Sequence, residues 1–308
     1  MRVIRGLPAA ADVPVALTIG NFDGVHRGHQ AMLARLIEGA EDLRLVPAVL
    51  TFDPHPREFF APHAAPPRLS SLRTRLEAFR RLGVQRTIVA RFDRRMAALA
   101  PEQFIADVLV RALDVRWVLV GDDFRFGQAR RGDLALLRAH ARTFSVEAMR
   151  TVTIGGERAS SSAVRAALAA GDLARAAALL GRPYTIAGRV AHGDKLGRGL
   201  GFPTANLPLR RAPPLSGIFA VRVHGLGSAP RTGVASLGVR PTVKRDGQPL
   251  LETFIFDFDA PIYGRRIAVE FLHKLRDEAR YPDLDALTRQ IRADAEEARA
   301  FFAAQPHA

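Results

Sequence analysis

The residues best suited to chemistry form one string near the start of the chain, Gly20-Asn21-Phe22-Asp23-Gly24-Val25-His26-Arg27-Gly28-His29. Before it, Val15, Ala16, Leu17 and Ile19 read as a buried strand. After it, Met32, Leu33, Leu36 and Ile37 recur at helical spacing. The string is therefore a strand-to-helix turn, where helix amides and the dipole favour anions and glycines let a phosphate approach the backbone. Two histidines around one glycine add imidazole donors at the same place. This HxGH arrangement marks enzymes that transfer a nucleotidyl group from a nucleoside triphosphate. The tetrapeptide alone also arises by chance, with Gly28 serving only a tight turn; the strand and helix around it favour a site.

A second region, Gly188 to Asn206, holds five glycines between expected strands. It permits close approach to phosphates but lacks the GK[ST] of a P-loop. Thr204 and Asn206 are hard oxygen donors two residues apart, hence on one side of an extended segment, and suit Mg²⁺ carried with ATP. Glu252 is the acid of an otherwise apolar strand, Leu251 to Phe256. Phosphoryl transfer to an alcohol needs a group to orient or deprotonate the hydroxyl. The bland alternatives are a flexible turn and a solvent-facing glutamate.

Three further segments fit a phosphate-handling cleft beside the first string. Asp53-Pro54-His55-Pro56 leaves a strand at its carboxyl end, and its prolines stiffen the loop carrying His55. Gly121-Asp122-Asp123-Phe124-Arg125-Phe126-Gly127 leaves another strand in the same way. Ser160-Ser161-Ser162 precedes a helix that carries Arg165; hydroxyls, free amides and a guanidinium make a triphosphate clamp, although a serine triplet is also an ordinary cap.

The elements that must position these groups divide into two textures. Up to about residue 180, strands at Leu45 to Phe52, Arg86 to Phe92 and Arg116 to Val120 alternate with helices at Leu72 to Leu82, Pro101 to Leu113 and Leu134 to Ala141. That alternation predicts a doubly wound, Rossmann-like parallel sheet. Residues 61–68, with three prolines, read as a loop. Short alanine-rich helices follow, over Ser162 to Ala170 and Leu173 to Leu180. Beyond Gly181-Arg182-Pro183 come short runs, Tyr184 to Val190, Ile218 to Val223, Thr232 to Leu237, Leu251 to Phe256 and Arg266 to Phe271. They predict an antiparallel β-barrel. Leu284 to Phe301 reads as a packed terminal helix with Leu287, Ile291, Ala295 and Ala298 on one face. The expected domains are 1–181 and 182–308.

The 308 residues, 48% hydrophobic and 25% charged, suit two ordinary soluble domains. No apolar run approaches the roughly 20 residues that span a bilayer, and Met1 to Gly6 lacks a signal-peptide core, so the expectation is a cytoplasmic protein without a membrane partner. The absence of cysteine excludes disulfides, thiolate metal sites and cysteine nucleophiles. A formal charge of +14 invites a nucleic-acid reading. Its basic residues are nevertheless spread along the chain and are nearly all arginine, with no aromatic-rich strand of the RNA-recognition type. The expectation is therefore no nucleic-acid partner. Oligomeric state is not legible.

In order and spacing, Gly20 to His29, Thr51 to Pro56, Val120 to Gly127 and Ser160 to Arg165 resemble the adenylyltransferase module of bifunctional bacterial riboflavin kinase/FAD synthetases, and the second half resembles their kinase module. The resemblance implies two ATP-dependent steps: riboflavin to FMN in the C-terminal module, then FMN to FAD and pyrophosphate in the N-terminal one. It places His26, His29, Arg165, Ser160, Ser161 and Ser162 on the ATP phosphates, with Gly20, Asn21, Phe22, Asp23 and Gly28 shaping the first loop. His55, with Pro54 and Pro56, and Asp122, Asp123 and Phe124 become contacts to FMN and the adenosine. In the kinase module it implies Glu252 as catalytic glutamate and Thr204 and Asn206 as Mg²⁺ ligands. Gly193, Lys195, Gly197, Gly201 and Pro203 lie around ATP there, and Arg276 and Glu278 on the flavin side, although a surface ion pair would also account for the last two. The chain departs from the family at Ala159, where a branched apolar residue is usual, and at Phe254, where a histidine is frequent. Another acceptor, such as nicotinamide mononucleotide or a pantetheine phosphate, would leave Gly188 to Asn206 unexplained. An HxGH tRNA synthetase would need a lysine-rich loop, which Lys195, Lys244 and Lys274 do not supply.

Overall fold

A computed structural model describes residues 1–193, 201–239 and 249–305. The chain forms two compact units, Met1–Pro66 with Ser70–Ser161, and Pro67–Leu69 with Ser162–Ala308. The units thus divide at Ser161/Ser162, whereas the expected functional boundary follows Gly181.

The first unit is built on six parallel strands, β1 (Arg2–Arg5), β2 (Val15–Ile19), β3 (Val46–Asp53), β4 (Arg86–Arg91), β5 (Val115–Gly121) and β6 (Ser145–Met149). Their order is β1-β4-β3-β2-β5-β6. All of β2 is buried, as expected of a central parallel strand covered on both faces. Helix α1 (Arg27–Asp42) puts Leu33, Leu36 and Ala40 against Trp117 and Phe79 on one face. The other face is covered by Phe104, Ile105, Val108 and Leu109. The helix expected over Pro101 to Leu113 is present in two windings. Only Pro101–Gln103 is α-helical, and Phe104–Ala112 winds as a π-helix, the wider turn keeping five of its nine residues buried. The chain leaves β2 towards β3 and β4, then crosses back to β5, so the sheet's switch point lies between β2 and β5. Two short helices near the site are α2 (Pro56–Phe60) and α3 (Leu72–Arg81). A small hairpin pairs β7 (Thr153–Ile154) with β8 (Glu157–Arg158).

The second unit is antiparallel: β9 (Thr185–Arg189), β10 (Thr204–Pro208), β11 (Gly217–His224), β12 (Arg231–Val239), β13 (Pro249–Ile255) and β14 (Arg266–Arg276), in the order β10-β13-β12-β11-β14-β9. A bridge between Ala191 and Asn206 links the two ends of this series, so the sheet nearly closes on itself. The terminal helix, Leu284–Ala303, starts at an Asp283 cap and lays Ala295 and Ala298 on Ile218, Ala220 and Val234. The alanine-rich helices run over Ser161–Ala169 and Leu173–Leu180.

Candidate functional site

The first cavity, about 210 Å³, opens at the switch point. Its walls come from the turn after β2 and the turn after β5. Gly20, Phe22, His26, Gly28 and His29 line it from one side, and Asp122, Asp123 and Phe124 from the other, with Ser160 beside them. The turn after β2 is tightly wound: Phe22, Gly24 and Val25 all have positive φ, at 51°, 83° and 45°. For bulky or β-branched residues that conformation costs free energy and persists only where the surroundings enforce it. The enforcing contacts are visible. The Asp23 carboxylate accepts from Ser70 N and Oγ at 3.0 and 3.1 Å, Ser70 Oγ accepts from Gly24 N at 2.9 Å, and Ser161 Oγ donates to the Asp23 carbonyl at 2.8 Å. Phe22 is buried edge-on to Phe79.

His26 caps α1, its Nδ1 accepting from His29 N at 3.4 Å, and the two imidazoles stack with centroids 3.6 Å apart. His29 Nδ1 is buried with no hydrogen-bond partner among the described residues. Burial first, then His26 and Arg75, hold the His29 ring well below the ordinary imidazole range. Gly28 sits in close approach: a Cβ there would lie 3.1 Å from the Ala159 carbonyl and 3.2 Å from the His26 ring, tighter than ordinary contact.

Several other expected residues stand elsewhere. Asn21, Asp23 and Ser161 are not on the cavity wall; Asp23 and Ser161 are bonded to each other behind it. Ser162 and Arg165 fall in the second compact unit, where Arg165 Nε donates to the Pro67 carbonyl at 2.7 Å. His55 caps α2, with Nδ1 accepting from Arg57 N at 3.0 Å, and Pro56 is that helix's first residue; neither they nor Pro54 line the cavity. Sequence reasoning missed Arg150, Thr151 and Arg158, which do line it. Arg158 pairs with Asp123 at 2.5 Å. The β7–β8 hairpin that brings Arg158 in is too short to leave a periodic signal.

The second cavity, about 140 Å³, lies in the barrel. Gly193, Pro203, Thr204 and Asn206 line it, facing Asp259 and Tyr263. Strand register supplies the rest of the geometry. Asn206 is directly opposite Glu252, and Thr204 opposite Phe254, so Thr204, Asn206 and Glu252 share one face of the sheet. Glu252 is on that face but not on the cavity wall. Asn206 is buried, donates to the Thr204 carbonyl at 3.2 Å, and leaves Oδ1 without a hydrogen-bond partner among the described residues. Phe254, in the place where a histidine is frequent, packs edge-on to Phe202 and Phe256. Gly201 is not on the wall, and Lys195 and Gly197 lie outside the described residues.

Arg276 forks onto Asp294 of the terminal helix at 2.7 and 2.6 Å, and its guanidinium lies 5.8 Å from the Tyr281 ring. Glu278 rests its carboxyl against the backbone of Gly238, where no Cβ could fit. Burial holds this carboxyl above its usual range, Arg276 opposes the rise, and Glu252 adds to it.

Two family models match the chain, FAD synthetase over residues 9–163 and riboflavin kinase over 180–302. The chain belongs to the bifunctional riboflavin kinase/FMN adenylyltransferases. Relatives so described are 48% identical in Escherichia coli (strain K12) and 47% in Haemophilus influenzae, covering 98% of this chain and at least 98% of theirs. The relative in Pseudomonas fluorescens is 49% identical over 94% of each chain. Among solved structures, a Streptococcus pneumoniae chain described as a macrolide-efflux protein superposes with a TM-score of 0.79 at 27% identity, over 97% of this chain and 99% of that one. No helix among the described residues is long and apolar enough to cross a membrane. As in the family, the FMN adenylyltransferase is N-terminal and the riboflavin kinase C-terminal.

Proposed function

We propose that the cavity between the turns after β2 and β5 transfers the adenylyl group, and that the barrel face bearing Thr204, Asn206 and Glu252 transfers the γ-phosphoryl group, with functional modules of 1–181 and 182–308. The observation that carries this reading is that two unlike sets of side chains gather in two separate places: a stacked imidazole pair at a helix N-terminus in one, hard oxygens opposite a glutamate in the other.

In the barrel, the primary hydroxyl of riboflavin attacks the γ-phosphorus of ATP, the bond to the β,γ-bridging oxygen breaks, and ADP leaves. Glu252 orients the hydroxyl and accepts its proton. Asn206 Oδ1 and the Thr204 hydroxyl suit Mg²⁺: one is a buried oxygen with no hydrogen-bond partner among the described residues, both are hard donors, and both face the cavity. Bound there with ATP, the ion would neutralise phosphate charge. Gly193, where an added Cβ would meet Asn206, leaves that amide its place on the wall.

In the first unit, a phosphate oxygen of FMN attacks the α-phosphorus of ATP and pyrophosphate leaves. The nucleophile is already an anion, so no base is needed. Positioning and electrostatic stabilisation do the catalysis. His26, His29 and the first amides of α1 hold the triphosphate, with Ser160 beside them and Ser161 holding the Asp23 carbonyl. Asn21 and Asp23 hold the loop in shape. Asp122, Asp123, Phe124 and the His55 loop receive FMN and the adenosine. Arg276 and Glu278 border the flavin of the kinase. A cytosolic location fits both steps, whose partners are small molecules.

The test is to incubate the protein with riboflavin, ATP and Mg²⁺ and to separate the flavins by chromatography. FMN appears first and FAD later. Formation of neither flavin overturns the reading.

A further inference from the structure

Arg75 lies on the face of α3 that also buries Phe79, and only 3% of it is exposed. A guanidinium is expensive to bury and is retained where specific acceptors hold it. Its Nη1 donates to the carbonyl of Asn21 at 2.5 Å and to Thr51 Oγ1 at 3.2 Å. The first acceptor belongs to the turn between β2 and α1, the second to β3, so the guanidinium crosses the floor of the turn that carries the imidazoles. Above it, Phe22 contacts His29 with centroids 4.9 Å apart, and His29 stacks on His26.

We infer that Arg75 is a positioning residue for adenylyl transfer, a permanent buried cation that fixes the Asn21 carbonyl and sets the field beneath the two stacked imidazoles. This inference rests on the assignment of that turn to adenylyl transfer. An arginine does not deprotonate in a protein, whereas an imidazole does. A charged His29 would repel the Arg75 guanidinium, and of the two it is the guanidinium that keeps its charge. The ionisable groups acting on His29 are His26 from its own turn and Arg75 from α3; both oppose its protonation, alongside burial. The attraction of the site for a triphosphate then comes from sources that do not titrate near neutrality: Arg75, the helix amides and a neutral imidazole.

The test uses full-length Arg75→Met and Arg75→Lys, with circular dichroism and thermal unfolding, beside riboflavin kinase activity, as the folding controls. FAD formation from supplied FMN is measured as kcat and KM for ATP. The titration of His29 is followed by NMR with labelled histidine, its signal identified by its loss in His29→Ala. Arg75→Met should lower FAD formation about 100-fold, the cost of a misplacement near 1 Å. It should also move the His29 midpoint up towards the ordinary imidazole range. Arg75→Lys, which keeps the charge but not the guanidinium's geometry, should leave the midpoint low and recover part of the rate. An unmoved His29 midpoint in a folded Arg75→Met overturns the inference, as does a raised midpoint in Arg75→Lys. Should Arg75→Met lose kinase activity as well, neutral and polar Arg75→Gln replaces it, with the same two readouts. FAD formation that survives His29→Ala would instead defeat the site assignment, and the His29 titration would still decide the role of Arg75.

Discussion

Replacing Gly193 by alanine tests the kinase assignment through one steric contact. A Cβ at this position would lie 2.5 Å from Asn206 Nδ2 and 2.9 Å from Oδ1, where ordinary contact begins at 3.4 Å. Asn206 is buried on the cavity wall and bonded to the Thr204 carbonyl. Its amide must therefore retreat by about 1 Å, taking Oδ1 away from the triphosphate, and a displacement of that size near reacting groups costs about 100-fold in rate. Converted, that is about 2.7 kcal/mol of transition-state stabilisation. The assay is FMN formation from riboflavin, ATP and Mg²⁺, with FAD formation from supplied FMN as the internal control. We expect kcat/KM for the first step to fall by about two orders of magnitude and the second step to be unchanged. Gly227→Ala, where an added Cβ meets nothing within 4 Å, should change neither. Kinase activity within about threefold of the parent in folded Gly193→Ala would refute the placement of Asn206 at the phosphates.

Glu252→Gln should stop FMN formation while FAD synthesis from supplied FMN continues, and loss of both in a folded protein would show that the sites are not independent. His29→Ala should do the reverse, so that FMN accumulates in the coupled reaction. Asp294→Ala leaves the Arg276 guanidinium without its fork and should cost about 3 kcal/mol in the unfolding transition of the second unit, read by denaturant titration. For Glu278 the folded state binds its proton more tightly than the unfolded chain does. Stability therefore falls as pH rises from the ordinary value of 4.5 through the raised one, and Glu278→Gln should flatten that part of the stability-pH curve.

The elements around the first cavity are legible because motif and periodicity coincide there. The buried run Val15 to Ile19, the HxGH turn and the apolar face of α1 specify a strand, a turn and a helix in that order, and all three appear. What stayed hidden has physical causes. Arg2–Arg5 and Ser145–Met149 are the two edge strands of the parallel sheet, short and only partly buried, so their apolar signal is weak. Thr204–Pro208 follows a glycine-rich run that masks its strand signal. Pro208 is tolerated because β10 stands at one end of the strand series, where a ladder needs fewer donors. Arg75 was passed over because a helical arginine ordinarily faces water. Its spacing of four from Phe79 was the available clue, since it places both on one side of α3.

The contrast between the two sites follows from what each nucleophile needs. On the proposed assignment, FMN arrives as an anion, so the adenylyl site has no proton to remove, and His29, held below the ordinary imidazole range by burial, His26 and Arg75, contributes no charge of its own. Riboflavin arrives as a neutral alcohol, so on the same assignment Glu252 is the carboxylate the kinase face needs, at an electrostatic cost: Glu252 raises the affinity of Glu278 for protons. Arg276 counters that repulsion while its fork is held by Asp294, which ties the charge balance of the cleft to the packing of the terminal helix. On the proposed assignment, disturbing the helix therefore reaches kinase chemistry through the Arg276 guanidinium.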